Sequence, residues 1–270
     1  MISAKKSLGQ NFLTSKSVAK DIVRAANLEV GDTVLEIGPG KGFLTSELLA
    51  SGAHVLAVEK DDRMIPLLTE KFAEEIKQKK FTLIHGDIME ITEKGPTLAQ
   101  ILKVGPSQHY KLVANIPYYL TGQIIRTFLE AKNKPELMVL MVQKEVATRI
   151  VARDKKESIL SVAVKVYGTP KLVKKVPARY FSPAPKVDSA VLLIENISGK
   201  NFTTKKAELD FFEIVRAGFA HKRKVLAGNL KELFGKKTLE ILAKVGATEK
   251  ARAEDLTLNQ WIEVAKVPRK

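Results

Sequence analysis

Five short apolar runs recur along the first half of the chain: TVLEI (33–37), HVLAV (54–58), FTLIH (81–85), KLVAN (111–115) and ELMVLMV (136–142). Between them lie stretches such as FLTSELLASG and DDRMIPLLTEKFAEEIK, whose apolar residues fall at helical spacing. Strands that alternate with helices in this way build βαβ units and hence a parallel sheet. Farther on, SILSVAVKVYGTPKLVKKV (158–176) and VDSAVLLIE (187–195) read as two more strands joined by turns, with no helix evident in the first. That predicts an antiparallel strand at one edge of the sheet. The polar, glycine-punctuated NISGKNFTTKK (196–206) marks a domain boundary, which we place between 197 and 198. Beyond it, LDFFEIVRAGFAHKRKVLAGNLKELFG, KTLEILAKVGA and LNQWIEVAK all read as helix, Thr257 and Gln260 fit a capping box, and Trp261 reads as core. A chain of 270 residues with 45% apolar content suits a large domain plus a smaller one.

The ends of the first three strands carry the groups that a ligand would meet. EIGPGKG (36–42) follows the first strand and opens a helix, with Gly38, Gly40 and Gly42 letting backbone approach a nucleotide-like ligand. Its G-x-G-x-G spacing differs from the dinucleotide fingerprint G-x-G-x-x-G, and no G-K-[ST] makes it a phosphate loop. The second strand ends at Glu59, 21 residues after Gly38, where a carboxylate can accept hydrogen bonds from ribose hydroxyls. The third ends in HGD, presenting Asp87. A glycine turn and two carboxylates along one sheet edge form a nucleoside site, and one without need of a phosphate fits S-adenosylmethionine better than NAD.

The fourth strand ends in NIPYYL (115–120), which places an amide, a proline and two tyrosines where a simple turn would use glycine, aspartate or serine. With GQNFL (9–13), EIGPGKG, Glu59, HGD (85–87), NIPYYL and FSPAPKVDSAV (181–191) in this order and spacing, the first 195 residues or so resemble the ribosomal RNA adenine N6-dimethyltransferase family. The nearest members are bacterial enzymes that dimethylate two adjacent adenosines near the 3′ end of small-subunit (16S) ribosomal RNA. Large-subunit (23S) erythromycin-resistance methyltransferases share most of these motifs and are the near alternative.

The resemblance implies an α/β fold: a mostly parallel, seven-stranded, Rossmann-like methyltransferase sheet over residues 1–197, with a small all-helical RNA-binding domain over 198–270. It implies that Asn11, Leu13, Gly38, Glu59, Asp87 and Asn115 line an S-adenosylmethionine pocket, Glu59 holding the ribose and Asp87 the adenine amine, with the segment around Asn11 and Leu13 folded over the cofactor. Gly40 and Gly42 belong to the same loop. For catalysis, Asn115 Oδ1 and the Ile116 carbonyl would accept the two hydrogens of adenosine N6 and turn its lone pair toward the methyl donor. Pro117 would fix the turn and hold the Ile116 carbonyl outward. Tyr118 would stack on the unpaired base and Phe181 would cover its other face, while Tyr119 and Leu120 would simply pack. No general base is needed in this scheme, and catalysis is proximity and alignment.

Charge indicates the partner. Lys and Arg number 45 against 30 Asp and Glu, a net +15, and the surplus is uneven. Residues 1–140 carry 18 basic and 16 acidic side chains, residues 141–190 carry 11 and 4, and residues 201–270 carry 15 and 9. Such a surface suits a polyanion, because each neutralised phosphate releases counterions. Arg149 and Arg153 on a helix after the fifth strand, and Lys222, Arg223 and Lys224 in AHKRK, are the candidate RNA contacts; a merely solvated helix face competes for AHKRK. The partner expected is small-subunit ribosomal RNA within the pre-30S particle, met by a monomer in the cytoplasm with a role in small-subunit biogenesis. No apolar stretch approaches bilayer length, and MISAKKSLGQNFLTSKS lacks a secretory apolar segment. The absence of cysteine excludes disulfides, thiolate metal sites and a cysteine nucleophile, and His54, His85, His109 and His221 show no metal-ligand spacing. An assembly factor that binds RNA without methylating it, and an NAD oxidoreductase, are the readings from other classes.

Overall fold

A computed structural model describes residues 3–93, 109–152 and 154–269. Seven strands form one sheet: β1 (Thr33–Ile37), β2 (His54–Glu59), β3 (Phe81–His85), β4 (Lys111–Asn115), β5 (Leu137–Gln143), β6 (Thr169–Val176) and β7 (Ser189–Glu195). Their spatial order is β3-β2-β1-β4-β5-β7-β6, a mostly parallel sheet of seven strands as expected. The first five are mutually parallel. From β1 the chain steps outward through β2 to β3, then returns to lay β4 on the other side of β1. The carboxyl ends of β1 and β4 therefore flank the point where strand order reverses, which is where open α/β sheets leave a crevice for ligands.

The apolar runs form strands because helices cover them on both faces. Val34, Leu35, Leu112, Val113, Ala114 and Met138 through Val142 are almost completely buried. The helix Thr121–Glu130 turns Ile124, Ile125, Phe128 and Leu129 inward, and Lys16–Ala25 does the same with Val18, Ala19 and Ile22. Full burial of side chains of this size stabilises by about 1.5–3 kcal/mol each.

Two expectations are corrected. The stretch opening SILSVAVK is not a strand: Ile159–Lys165 is a helix, started by Ser158, whose hydroxyl accepts from the Ser161 N–H while Ser161 Oγ accepts from the Ser158 N–H. Reciprocal capping, with burial of Val162 and Val164, outweighs the β-branched content that reads as strand. The antiparallel strand is also not at the edge. It is β7, antiparallel to both β5 and β6, and the lysine-bearing β6 takes the edge. Lysines on an edge strand oppose pairing with a further chain.

The chain forms two compact units, Met1–Ala147 with Thr169–Ile197, and Thr148–Gly168 with Ser198–Lys270. In the second, helices span Lys205–Gly218, Leu226–Phe234, Thr238–Lys244 and Leu258–Ala265. Trp261 is wholly buried there and stacks on Phe219, with centroids 5.6 Å apart. Thr257 and Gln260 form the capping box. Among the described residues no helix is long and apolar enough to cross a membrane.

Candidate active site

One cleft in the first unit runs along the carboxyl ends of β1, β2, β3 and β4. Its lining includes Asn11, Leu13, Gly38, Gly40, Glu59, Asp87, Asn115, Ile116, Pro117 and Tyr118. Ten of the residues singled out from sequence thus meet in one place, drawn from five separate segments.

The three loop glycines serve different ends. A Cβ built on Gly38 meets nothing within 4 Å, so that position opens on free space beside the cleft. At Gly40 a Cβ would come 2.9 Å from the Phe12 ring, so this glycine lets the N-terminal segment close on the loop. At Gly42 it would stand 2.5 Å from Phe72 and 2.9 Å from Leu68. Gly42 is absent from the cleft lining, and its sequence assignment as a cofactor contact is corrected to close packing of the loop on the helix Met64–Lys71 and the Phe72 that follows it.

Both oxygens of Glu59 are engaged by backbone: the Gly40 N–H donates to Oε2 at 2.9 Å and the Asp61 N–H to Oε1 at 2.8 Å. Burial raises its pKa, an effect that these two bonds oppose without cancelling. Each oxygen keeps a second lone pair for a ligand hydroxyl. Asp87 accepts from Lys60 Nζ at 2.6 Å and from the Met89 N–H at 2.9 Å. Burial pushes its pKa up, but Lys60 and the Met89 N–H outweigh that, so the net shift is downward and the group is a carboxylate.

NIPYYL bends sharply at the end of β4. Pro117 is extended (φ −57°, ψ 132°), its carbonyl accepts from the Leu120 N–H at 3.0 Å, and Tyr118–Leu120 form a single 3-10 turn leading into the helix Thr121–Glu130. Asn115 Nδ2 donates to the Asn11 carbonyl at 3.0 Å. A carbonyl can only accept, so this bond fixes which end of the amide is which and leaves Oδ1 able to accept from a ligand. The Tyr118 hydroxyl lies 2.5 Å from Ser189 Oγ, and burial raises its pKa. Tyr119 does not simply pack: it is 63% exposed, at the cleft, beside Gly9.

Phe181 is also corrected. It is 4% exposed, it belongs to the hydrophobic core with Phe12 and Leu13, and it does not line the cleft. The reason is local pairing: Phe12–Leu13 and Phe181–Ser182 form a two-stranded antiparallel ladder that turns the Phe181 ring inward. The geometry therefore supplies no second aromatic face from this position.

Sequence reasoning missed two groups. Asp61 is 1% exposed and gathers Gln10 Nε2 at 2.8 Å, Arg63 at 2.6 and 2.9 Å and Lys5 Nζ at 3.3 Å, of which Gln10 and Lys5 come from the N-terminal segment. Arg63, then Gln10 and Lys5, hold its carboxyl far below the usual carboxylate range. The only signal was the run EKDDR at a strand end. Glu36 is 1% exposed within β1 and accepts from Thr45 Oγ1 at 2.7 Å; burial pushes its pKa up to about 8. An acid in the middle of an apolar strand was the visible hint.

The candidate RNA contacts lie in the second unit. Arg149 is exposed on the helix Lys144–Val151, and Arg153 lies outside the described residues. Lys222, Arg223 and Lys224 are exposed, but not on a helix face as the competing reading supposed: they occupy the loop between Lys205–Gly218 and Leu226–Phe234. Asn229 Nδ2 donates to the carbonyls of Gly218 and His221 at 2.6 and 3.2 Å, fastening that loop. Among the described residues no group of three His, Cys, Asp or Glu could hold a metal ion.

The model of the family described as ribosomal RNA adenine dimethylase matches residues 1–270. A Dehalococcoides mccartyi protein named ribosomal RNA small subunit methyltransferase A is 44% identical over 263 residues, covering 96% of this chain and 87% of its own. A Fusobacterium nucleatum protein of the same name is 37% identical over 267 residues, covering 97% of each. Among solved structures, a dimethyladenosine transferase from Plasmodium falciparum superposes with a TM-score of 0.77 at 26% identity, covering 94% of this chain and 95% of that one. The 23S rRNA methyltransferase ErmE does so with a TM-score of 0.75 at 26% identity, over 95% and 98%. With the family model spanning the whole sequence and relatives this similar over nearly all of it, the chain belongs to the ribosomal RNA adenine dimethylase family.

Proposed function

We propose that this chain is an S-adenosylmethionine-dependent methyltransferase that dimethylates N6 of two adjacent adenosines near the 3′ end of small-subunit ribosomal RNA, within the pre-30S particle. The observation that carries the chemistry is Asn115: it lines the cleft with its amide oriented by the bond from Nδ2 to the Asn11 carbonyl, which leaves Oδ1 as an acceptor for an exocyclic amine. Relatives at 37–44% identity that are named for the small subunit support the choice of RNA.

The residues present fit S-adenosylmethionine. Gly38 leaves open space, Glu59 and Asp87 supply acceptors for ribose hydroxyls and an adenine amine, and Ile37, Leu13 and Ile88 supply apolar walls. Asn11 and Leu13 would hold it from the N-terminal side. When bound, it supplies a methyl group on a positively charged sulfur, which is strongly electrophilic.

Adenosine N6 is a poor nucleophile because its lone pair is delocalised into the ring. Asn115 Oδ1 and the Ile116 carbonyl accept its two hydrogens, which draws the nitrogen toward tetrahedral geometry. Pro117, extended and without an N–H, holds that carbonyl clear of helix geometry. Tyr118 stacks on the base, worth about 1–3 kcal/mol. The base must leave its helix to arrive there, since N6 inside a duplex is out of reach. After one methyl transfer a single N–H remains, so the second transfer uses one acceptor and requires the amine to rotate. RNA is held by Arg149 and by Lys222, Arg223 and Lys224 of the second unit.

Mass-spectrometric mapping of N6,N6-dimethyladenosine in both ribosomal RNAs, with and without this protein, tests the assignment. A dependent pair in the small subunit is expected; a mark in the large subunit assigns the other target, and no mark in either leaves an assembly factor. Asn115→Ala should lower methyl transfer more than a hundredfold while folding and cofactor affinity stay near wild type, and an active variant would overturn the role given to Asn115.

A further inference from the structure

Ser189 is the first residue of β7 and is completely buried. It pairs with Gln143 of β5 on one side and Val176 of β6 on the other, so its backbone is held from both directions. Its hydroxyl lies 2.5 Å from that of Tyr118, 71 residues earlier in the chain. Buried hydroxyls need partners, and this one finds a ring that lines the cleft.

We propose that Ser189 is a positioning residue for methyl transfer, setting the plane of the Tyr118 ring on which the target base rests. The inference rests on the reading of Tyr118 as the stacking platform. Tyr118 itself sits on a single 3-10 turn, which leaves its side-chain torsions to be decided by contacts. A tether from a strand paired on both sides removes that freedom before substrate arrives, and stacking then need not supply the ordering entropy. The tether also commits the phenol to the sheet side. A free phenol beside the cleft would compete with Asn115 Oδ1 for the hydrogens of the exocyclic amine. The two motifs NIPYYL and FSPAPKVDSAV, far apart in sequence, are joined physically at this bond.

The test compares Ser189→Ala, Tyr118→Phe, the double variant and Tyr118→Ala. Turnover is measured on undermethylated small subunits, and emission on an RNA carrying 2-aminopurine at the target position. Ser189→Ala and Tyr118→Phe should each lower kcat about tenfold, with cofactor affinity and melting temperature near wild type. The double variant should be no worse than either single one, because both remove the same bond. Both single variants should lose part of the quenching that stacking on a fixed ring gives to 2-aminopurine. Tyr118→Phe leaves the strand untouched, so a folding defect in Ser189→Ala cannot imitate this pattern. Wild-type kcat and quenching in Tyr118→Phe, or additive losses in the double variant, would overturn the proposal. If Tyr118→Ala retains full activity, the stacking reading itself fails; if it is inactive while Ser189→Ala and Tyr118→Phe are normal, the tether alone does.

Discussion

Glu36 turns the interior of the cleft into a measurable dependence of stability on pH. It is 1% exposed on a central strand, and burial pushes its pKa from 4.5 to about 8; Thr45 lowers it, Glu59 raises it and Lys71 lowers it, without reversing the effect of burial. Between those values the folded chain keeps the proton and the unfolded chain releases it. A folded pKa above the unfolded one contributes stability that is complete below about pH 4.5 and lost as pH rises toward about 8. Each unit of pH in that window removes about 1.4 kcal/mol, so the whole window is worth about 5 kcal/mol. Glu36→Gln keeps the shape and the acceptor for Thr45 but cannot ionise. Denaturant unfolding of both proteins from pH 5 to pH 9 should show the wild type losing ground to the variant steadily, then levelling off above the folded pKa. Parallel stability curves, with a constant offset across that range, would refute the protonated Glu36.

Three further outcomes follow from the same geometry. Asp61→Asn removes the charge that gathers Lys5, Gln10 and Arg63, and should raise the KM for the methyl donor severalfold and speed proteolysis near the N-terminus, because the N-terminal segment loses charge-assisted bonds worth about 1–3 kcal/mol. Gly42→Ala should destabilise by about 2 kcal/mol or more in thermal unfolding, since its Cβ would meet Phe72 at 2.5 Å, with donor affinity unchanged at temperatures where the protein remains folded. Lys222→Glu with Arg223→Glu should weaken RNA binding and flatten its dependence on salt by about two units of slope in filter-binding titrations, leaving donor binding intact.

What sequence disclosed and what it concealed divide by range. The ends of β1 and β4 fell where their runs end, because buried strands in a parallel sheet are largely apolar and their limits show as changes of composition; the edge strand β3, half-exposed, ended at His85 before the Gly86 turn. Glu59 and Asn115 were legible for the same reason, each being the first polar residue at a strand end, and Asp87 because it follows its strand end directly after a glycine. ILSVAVK was misread because three β-branched residues suit a strand locally, and the Ser158–Ser161 cap is a weak signal in sequence. The position of β7 inside the sheet depends on pairing with β5 and β6, which nothing within VDSAVLLIE specifies. The inward turn of Phe181 depends on Leu13, the clasp at Asp61 on Gln10, and the tether of Tyr118 on Ser189. Each is a contact between segments far apart in the chain, invisible to spacing.

The reversed strand has a consequence for how such an enzyme can change. Parallel strands deliver only their exits to the ligand edge, so each segment there must also begin a helix, as NIPYYL does. Because β7 runs the other way, it brings an entrance instead: Ser189, its first residue, arrives against the Tyr118 hydroxyl without any helix to start. The donor side, on β1, β2 and β3, and the acceptor side, on β4 and β7, are thus built from separate strands. Altered residues in the stretch 183–188, which leads into Ser189, would act on the Tyr118 side of the cleft while the strands that carry the glycine loop and Glu59 stay as they are. One inverted strand lets choice of substrate drift independently of the chemistry.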